Sequence, residues 1–125
     1  MRNLSATDFF EHFGQMFVES FRIRRPAVKC EDGYQVSIQA SEYHYCSPRE
    51  TGLNHYDEVE LGFPNKADEE LLDYAEEPEK PTDTVYGYVP IDLVDKVIMK
   101  HGGITKLIVS GFCTDHPIEL EVSVF

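Results

Sequence analysis

The chain of 125 residues carries 23 acidic against 11 basic side chains, for a formal net charge of −12, and 42% of its residues are hydrophobic. That length suits a single domain with one core, and its 8 Phe and 7 Tyr are too many for a disordered chain. The charge argues against direct binding of nucleic acid or of an anionic membrane, both of which need clustered Lys and Arg.

Ser5-Ala6-Thr7-Asp8 matches a capping box, with Ser5 as the N-cap and the Asp8 carboxylate reaching back. Phe9, Phe10, Phe13, Met16, Phe17 and Phe21 follow at three- and four-residue spacing, which predicts an amphipathic helix from about residue 6 to 20. Pro26 ends any continuation. Residues 27–30 and 34–40 read as a hairpin around Glu31-Asp32-Gly33, because Tyr34, Val36, Ile38 and Ala40 alternate with polar residues. The second strand has the pattern to run on through Tyr43 and Tyr45, and residues 47–56 read as a loop.

Residues 58–63 predict a further strand, with Val59, Leu61 and Phe63 on one face and Glu58 and Glu60 on the other. Pro64 stops it, and Asn65 followed by Asp68 caps a short acidic helix through about Glu76, anchored by Leu71, Leu72 and Tyr74. A polar connector leads to a Tyr-rich strand at 84–89. Pro90 then takes the first position of a helix whose apolar stripe is Ile91, Val94, Val97 and Ile98. Lys96, Lys100 and His101 complement the C-terminal dipole of that helix, and Gly102-Gly103 stops it, with Ile104 placed to close a Schellman motif. Residues 104–112 and 118–125 form a last strand pair. The order implies an α+β fold: a single domain with a mostly antiparallel sheet of five to six strands and about three helices covering one face.

The charge is concentrated. Residues 50–83 hold twelve acids against Lys66 and Lys80, a net −10, while the rest of the chain contributes only −2. The opposite pole is Arg22, Arg24, Arg25 and Lys29, within eight residues and with no acid among them. Acid runs are usually solvated faces that keep a protein soluble. These alternate with aromatics, however, and anionic groups around aromatic anchors suit a basic protein partner. The candidate contact residues are Asp57, Glu58, Glu60, Asp68, Glu69, Glu70, Asp73, Tyr74, Glu76 and Glu77.

Other constellations give less. His44-x-Cys46 with Cys113-x-x-His116 supplies zinc-type ligands but matches no common finger spacing. Cys30, Cys46 and Cys113 are an odd set without a secretory signal, which suits free thiols in a reducing cytosol. Apolar runs are only a few residues long, which predicts neither a membrane span nor a signal-peptide core. No nucleophile elbow, Walker loop, dinucleotide fingerprint or H-E-x-x-H motif is present, so neither catalytic residues nor a cofactor or metal is expected. The alternative ligand site is an Arg/Tyr pocket for a nucleotide signal, built from Arg22, Arg24, Arg25, Arg49 and Tyr45. The Phe-rich first helix suits the core, or else a homodimer face in a structural accessory protein.

Arg24-Arg25-Pro26, Lys29-Cys30-Glu31-Asp32-Gly33, Tyr45-Cys46-Ser47-Pro48-Arg49, Val59-Glu60-Leu61-Gly62-Phe63-Pro64 and Pro81-Thr82-Asp83-Thr84-Val85-Tyr86-Gly87-Tyr88-Val89-Pro90 continue to His101-Gly102-Gly103-Ile104. This stretch, about residues 24 to 104, resembles small uncharacterised proteins encoded by bacteriophages and prophages of gut bacteria. The resemblance carries no catalytic residues. It implies a phage context, the cytoplasm of a host bacterial cell, and an inhibitor of a host defence complex that handles nucleic acid, of anti-CRISPR or other anti-defence type. Carboxylates would then occupy Lys and Arg sites built for phosphate.

Overall fold

In the first three strands the buried apolar side chains fall on every second residue, and the strand register joins them into one packed face. The computed structural model describes residues 2–13, 25–109 and 118–123. Its elements are α1 (Ala6–Phe13), β1 (Ala27–Cys30), β2 (Gln35–Gln39), β3 (Glu58–Gly62), a 3-10 helix (Glu69–Tyr74), β4 (Val85–Pro90), α2 (Ile91–Lys100), β5 (Ile104–Val109) and β6 (Ile118–Glu121). The strands lie in the order β4-β3-β2-β1-β5-β6, and every neighbouring pair is antiparallel. Val28 faces Val36 on one side and Leu107 on the other, Ile38 faces Leu61, and Val59 faces Val89. All of these are buried, and they share one core with Phe9 and Phe10 of α1 and Val94, Val97 and Ile98 of α2. The helices therefore cover that face and leave the other open, which gives the expected α+β arrangement.

The capping box forms as spelled. Ser5 Oγ accepts the Asp8 amide at 3.1 Å, and Asp8 Oδ2 accepts the Ser5 amide at 3.0 Å. Thr7 then donates its amide and hydroxyl to Asp95, which fastens the first turn of α1 to α2. The described Phe residues of α1 are core: Phe9 and Phe10 are buried and Phe13 packs partly buried against them. Met16, Phe17 and Phe21 lie outside the described residues. At the end of α2 the Gly103 amide reaches Ile98 O and the Gly102 amide reaches Met99 O, the paired bonds of a Schellman stop. Both glycines have positive φ.

Four expectations need correction. The second strand ends at Gln39 and does not reach Tyr43 or Tyr45. Instead Ser41 Oγ accepts the Tyr43 amide and Ser41 O accepts the His44 amide, a local turn that turns the chain out of the sheet. Phe63 is 56% exposed, because β3 stops at Gly62 and Phe63 takes a left-handed φ of 50° before Pro64. The acidic helix is a six-residue 3-10 helix; Asp68 caps it as expected, accepting the Glu70 amide. Pro90 ends β4 opposite Glu58 and serves as the N-cap of α2 rather than its first helical residue.

Arg25 is a core residue at 1% exposure. Its guanidinium lies 4.9 Å from the Phe10 ring centroid and 5.7 Å from that of Tyr56, and Nη1 donates to Ala40 O. Gln39 bonds both the amide and the carbonyl of Arg25. Burial lowers the guanidinium pKa from its ordinary value, and neighbouring Tyr56 opposes that shift.

Candidate partner-binding surface

The acidic third of the chain gathers at the β4 end of the sheet. Glu58 and Glu60 stand on the open face of β3, where the buried positions are Val59 and Leu61. The 3-10 helix packs against β4, and the chain after it runs along the β4 edge, with Ala75 bridged to Tyr86 and the Glu76 amide donating to Val85 O. The segment thus covers an edge that would otherwise present unpaired backbone. Its carboxylates point outward, and Glu69, Asp73, Glu76 and Glu77 are all exposed, as are Asp57, Glu79 and Asp83. Tyr74 is half-buried against the core.

Two predicted contact acids are paired with lysines within the fold. Glu70 lies 3.1 Å from Lys96 Nζ and 3.4 Å from Lys100 Nζ. Asp68, 8% exposed, sits 2.7 Å from Lys100 Nζ. Burial alone would raise the Asp68 carboxyl, but the Lys100 ammonium, the Glu70 amide and His101 together hold it below the usual carboxylate range. The net anionic face therefore starts beyond these pairs, at Glu69, Asp73 and the residues that follow.

The basic pole lies elsewhere. Lys29 on β1 and Lys106 on β5 both reach Glu119 of β6, at 3.2 and 3.3 Å, so they do not neutralise the acidic segment. β1 stands three strand spacings from β4, roughly 14 Å. Of the alternative ligand pocket, the structure brings together Arg49 and Tyr45, with the guanidinium 5.8 Å from the ring centroid. Arg25 is withdrawn into the core, and Arg22 and Arg24 lie outside the described residues. Cys46 Sγ donates to Ser41 O and His44 Nδ1 lies 2.6 Å from Ser41 Oγ, while Cys113 and His116 lie outside the described residues. No three His, Cys, Asp or Glu side chains converge as metal ligands among the described residues.

Between Val59–Val89 and Leu61–Tyr86 the ladder slips, so Glu60 opposes both Gly87 and Tyr88, a β-bulge. Tyr88 adopts a left-handed φ of 54° there. Tyr45 lies across the bulge: its carbonyl accepts the Tyr88 amide at 3.0 Å, and its own amide donates to Glu60 Oε1 at 3.3 Å. A Cβ on Gly87 would meet Tyr45 Cβ at 3.2 Å, so the missing side chain admits this close approach. The two rings sit with centroids 5.9 Å apart, exposed by 42% for Tyr45 and 44% for Tyr88. Burial raises the Glu60 carboxyl pKa, and the nearby Glu76 charge adds to the rise. A carboxyl raised in the folded state destabilises the fold once ionised. Glu60→Gln is accordingly expected to be more stable than the parent at neutral pH, with the difference vanishing as pH falls below the carboxylate range. Urea midpoints at neutral and acidic pH check this.

A second cluster was not legible in the sequence. His101, at the end of α2, stacks on Tyr34 with centroids 4.0 Å apart and an interplanar angle of 7°. Its Nδ1 is 2.6 Å from Asp32 Oδ2, and its Nε2 is 3.5 Å from Asp68 Oδ2. These residues adjoin a polar cleft of about 310 Å³ lined by Asp32, Gly33, Tyr34, Asn65, Lys66 and His101. With a carboxylate at each ring nitrogen, the imidazole joins the β1–β2 turn, the end of α2 and the start of the 3-10 helix. The hydrogen bond from His101 and then the Tyr34 amide hold the Asp32 carboxyl below its usual range. Asp32 and Asp68 therefore stabilise the fold above their unfolded pKa of about 3.9, and that contribution is lost as pH falls through their lowered folded values. The stability of the parent is expected to fall over this acid range, and Asp68→Asn to show a shallower fall from a lower neutral value. Urea midpoints between neutral pH and about pH 2 measure both.

No helix among the described residues is long and apolar enough to cross a membrane. No family model matches the chain, and no curated protein or solved structure matches it.

Proposed function

We propose that the protein is a non-enzymatic binding protein that docks a basic, nucleic-acid-handling protein on the acidic face beside β4. The observation that carries this reading is the fate of the charges. Only Asp68 and Glu70 of the segment are engaged by lysines, while Glu69, Asp73, Glu76 and Glu77 stand exposed without an ion pair among the described residues. A diffuse charge would serve solubility equally well, whereas exposed carboxylates concentrated at one end of a sheet set up a directional field. Such a field draws in Lys and Arg clusters built for phosphate and excludes nucleic acid from them. The resemblance to phage and prophage proteins supports a defence complex of the bacterial host as the proposed partner, with the host cytoplasm as the place of action.

The test is affinity capture from a bacterial lysate at low and high salt. The immobilised parent is expected to retain basic nucleic-acid-binding proteins that elute as salt rises. A variant carrying Glu69→Lys, Asp73→Lys, Glu76→Lys and Glu77→Lys is expected to retain none of them. Equal retention by parent and variant overturns the proposal.

A further inference from the structure

Resting on that reading, we infer that the ring pair Tyr45/Tyr88, set over the β3–β4 bulge beside Glu60, is the anchor point of the acidic face and receives an Arg or Lys side chain of the basic partner. Three features of the bulge point to a cation. The first is construction. Tyr45 is held by hydrogen bonds at its amide and its carbonyl, and Gly87 lets it approach the sheet closely. Its backbone and that of Tyr88 are thereby tied together, and both rings are still more than two-fifths exposed. Rigid, exposed tyrosines lose little conformational freedom on binding, which is why they recur as anchors.

The second feature is unbalanced charge. Glu60 is half-buried, and Glu76 lies close enough to disfavour its ionisation. An incoming cation relieves both burdens, since it neutralises a carboxylate that water solvates poorly. The third is the chain's own Arg49, whose guanidinium already lies over the Tyr45 ring and whose charge opposes the shift on Glu60. The surface thus accommodates a planar cation on one of its two rings. Among the described residues, no cation lies over Tyr88. A cation there gains from the ring face and from the Glu60–Glu76 field together. A second copy of this chain is a poor occupant, because it brings another −12 to the interface.

The experiment titrates a fluorescently labelled oligo-arginine peptide, read by anisotropy at low salt. The parent is expected to bind it, and Tyr45→Ala/Tyr88→Ala to bind about tenfold more weakly with an unchanged far-ultraviolet circular dichroism spectrum. Tyr45→Phe/Tyr88→Phe, which keeps both rings, is expected to bind within about twofold of the parent. If the parent binds and the alanine variant binds equally well, the anchor assignment is overturned while the acidic-face reading stands. If the parent does not bind, the acidic-face reading fails, and the anchor with it. If the parent sediments as a dimer and the alanine variant as a monomer, the ring pair is a contact between copies and the assignment is likewise overturned.

Discussion

Replacing Phe10 with alanine is expected to lower the unfolding free energy by about 3–5 kcal/mol and the melting temperature by roughly 10–20 °C. Phe10 is 1% exposed and sits where three parts of the chain meet. Its ring lies 5.4 Å from Phe9 and 5.2 Å from Tyr56, and the Arg25 guanidinium lies over its face at 4.9 Å. Truncation removes a buried ring, leaves a cavity, and strips part of the aromatic cover from a buried cation. The last effect sets this position apart from an ordinary core phenylalanine, because a guanidinium beside a void has lost a compensating contact that water cannot replace. Phe10→Leu refills most of the volume without restoring the ring face, so it is expected to recover part of the loss. Chemical denaturation of the three proteins measures both steps. A loss below about 1 kcal/mol for Phe10→Ala would show that this junction is not where the core is held.

The largest expected effect on binding comes from the fourfold reversal Glu69→Lys, Asp73→Lys, Glu76→Lys and Glu77→Lys. It moves the formal net charge from −12 to −4, and all four changes fall on exposed positions between residues 69 and 77. Affinity for the proposed basic partner is expected to fall by about 100-fold or more at low salt, mostly through slower association. The structure refines the choice of positions. Glu70 belongs to the same segment but pairs with Lys96 and Lys100, so reversing it would disturb the junction of the 3-10 helix with α2. The four chosen carboxylates are exposed and have no ion pair among the described residues, so the melting temperature of the variant is expected to stay within about 3 °C of the parent. Binding lost without stability lost separates a docking face from a structural one.

What could be read in advance followed local physics. The capping box at Ser5–Asp8, the Gly102-Gly103 stop and the alternation over Val36 and Ile38 each depend on neighbours within a few residues, and each formed as spelled, although β2 ended sooner than its pattern allowed. The acidic segment was visible as composition, and its exposure follows from charge. Some failures were local, such as the Ser41 turn that ends β2 and the left-handed φ at Phe63, and the others were matters of long-range pairing. Arg25 reads as one member of a surface cluster, yet Phe10 and Tyr56, distant in sequence, enclose it. His101 and Asp32 are 69 residues apart, and nothing in either neighbourhood announces their pairing. The bulge left a trace: an isolated Gly87 within a Tyr-rich strand signals a bulge or a close backbone approach. That signal places a kink in β4 without saying that Tyr45 lies across it.

The proposed docking face, the acidic end of the sheet beside β4, can be mapped by backbone amide shifts, followed by nuclear magnetic resonance while the oligo-arginine peptide is titrated in. Progressive shifts are expected at Tyr45, Glu60, Asp73, Glu76, Glu77 and Tyr88, reversed by added salt, with Lys29, Lys106 and the His101 cluster unmoved. Shifts centred on β5 and β6, or on the cleft beside Asp32 and His101, with the β4 end silent, would contradict that placement.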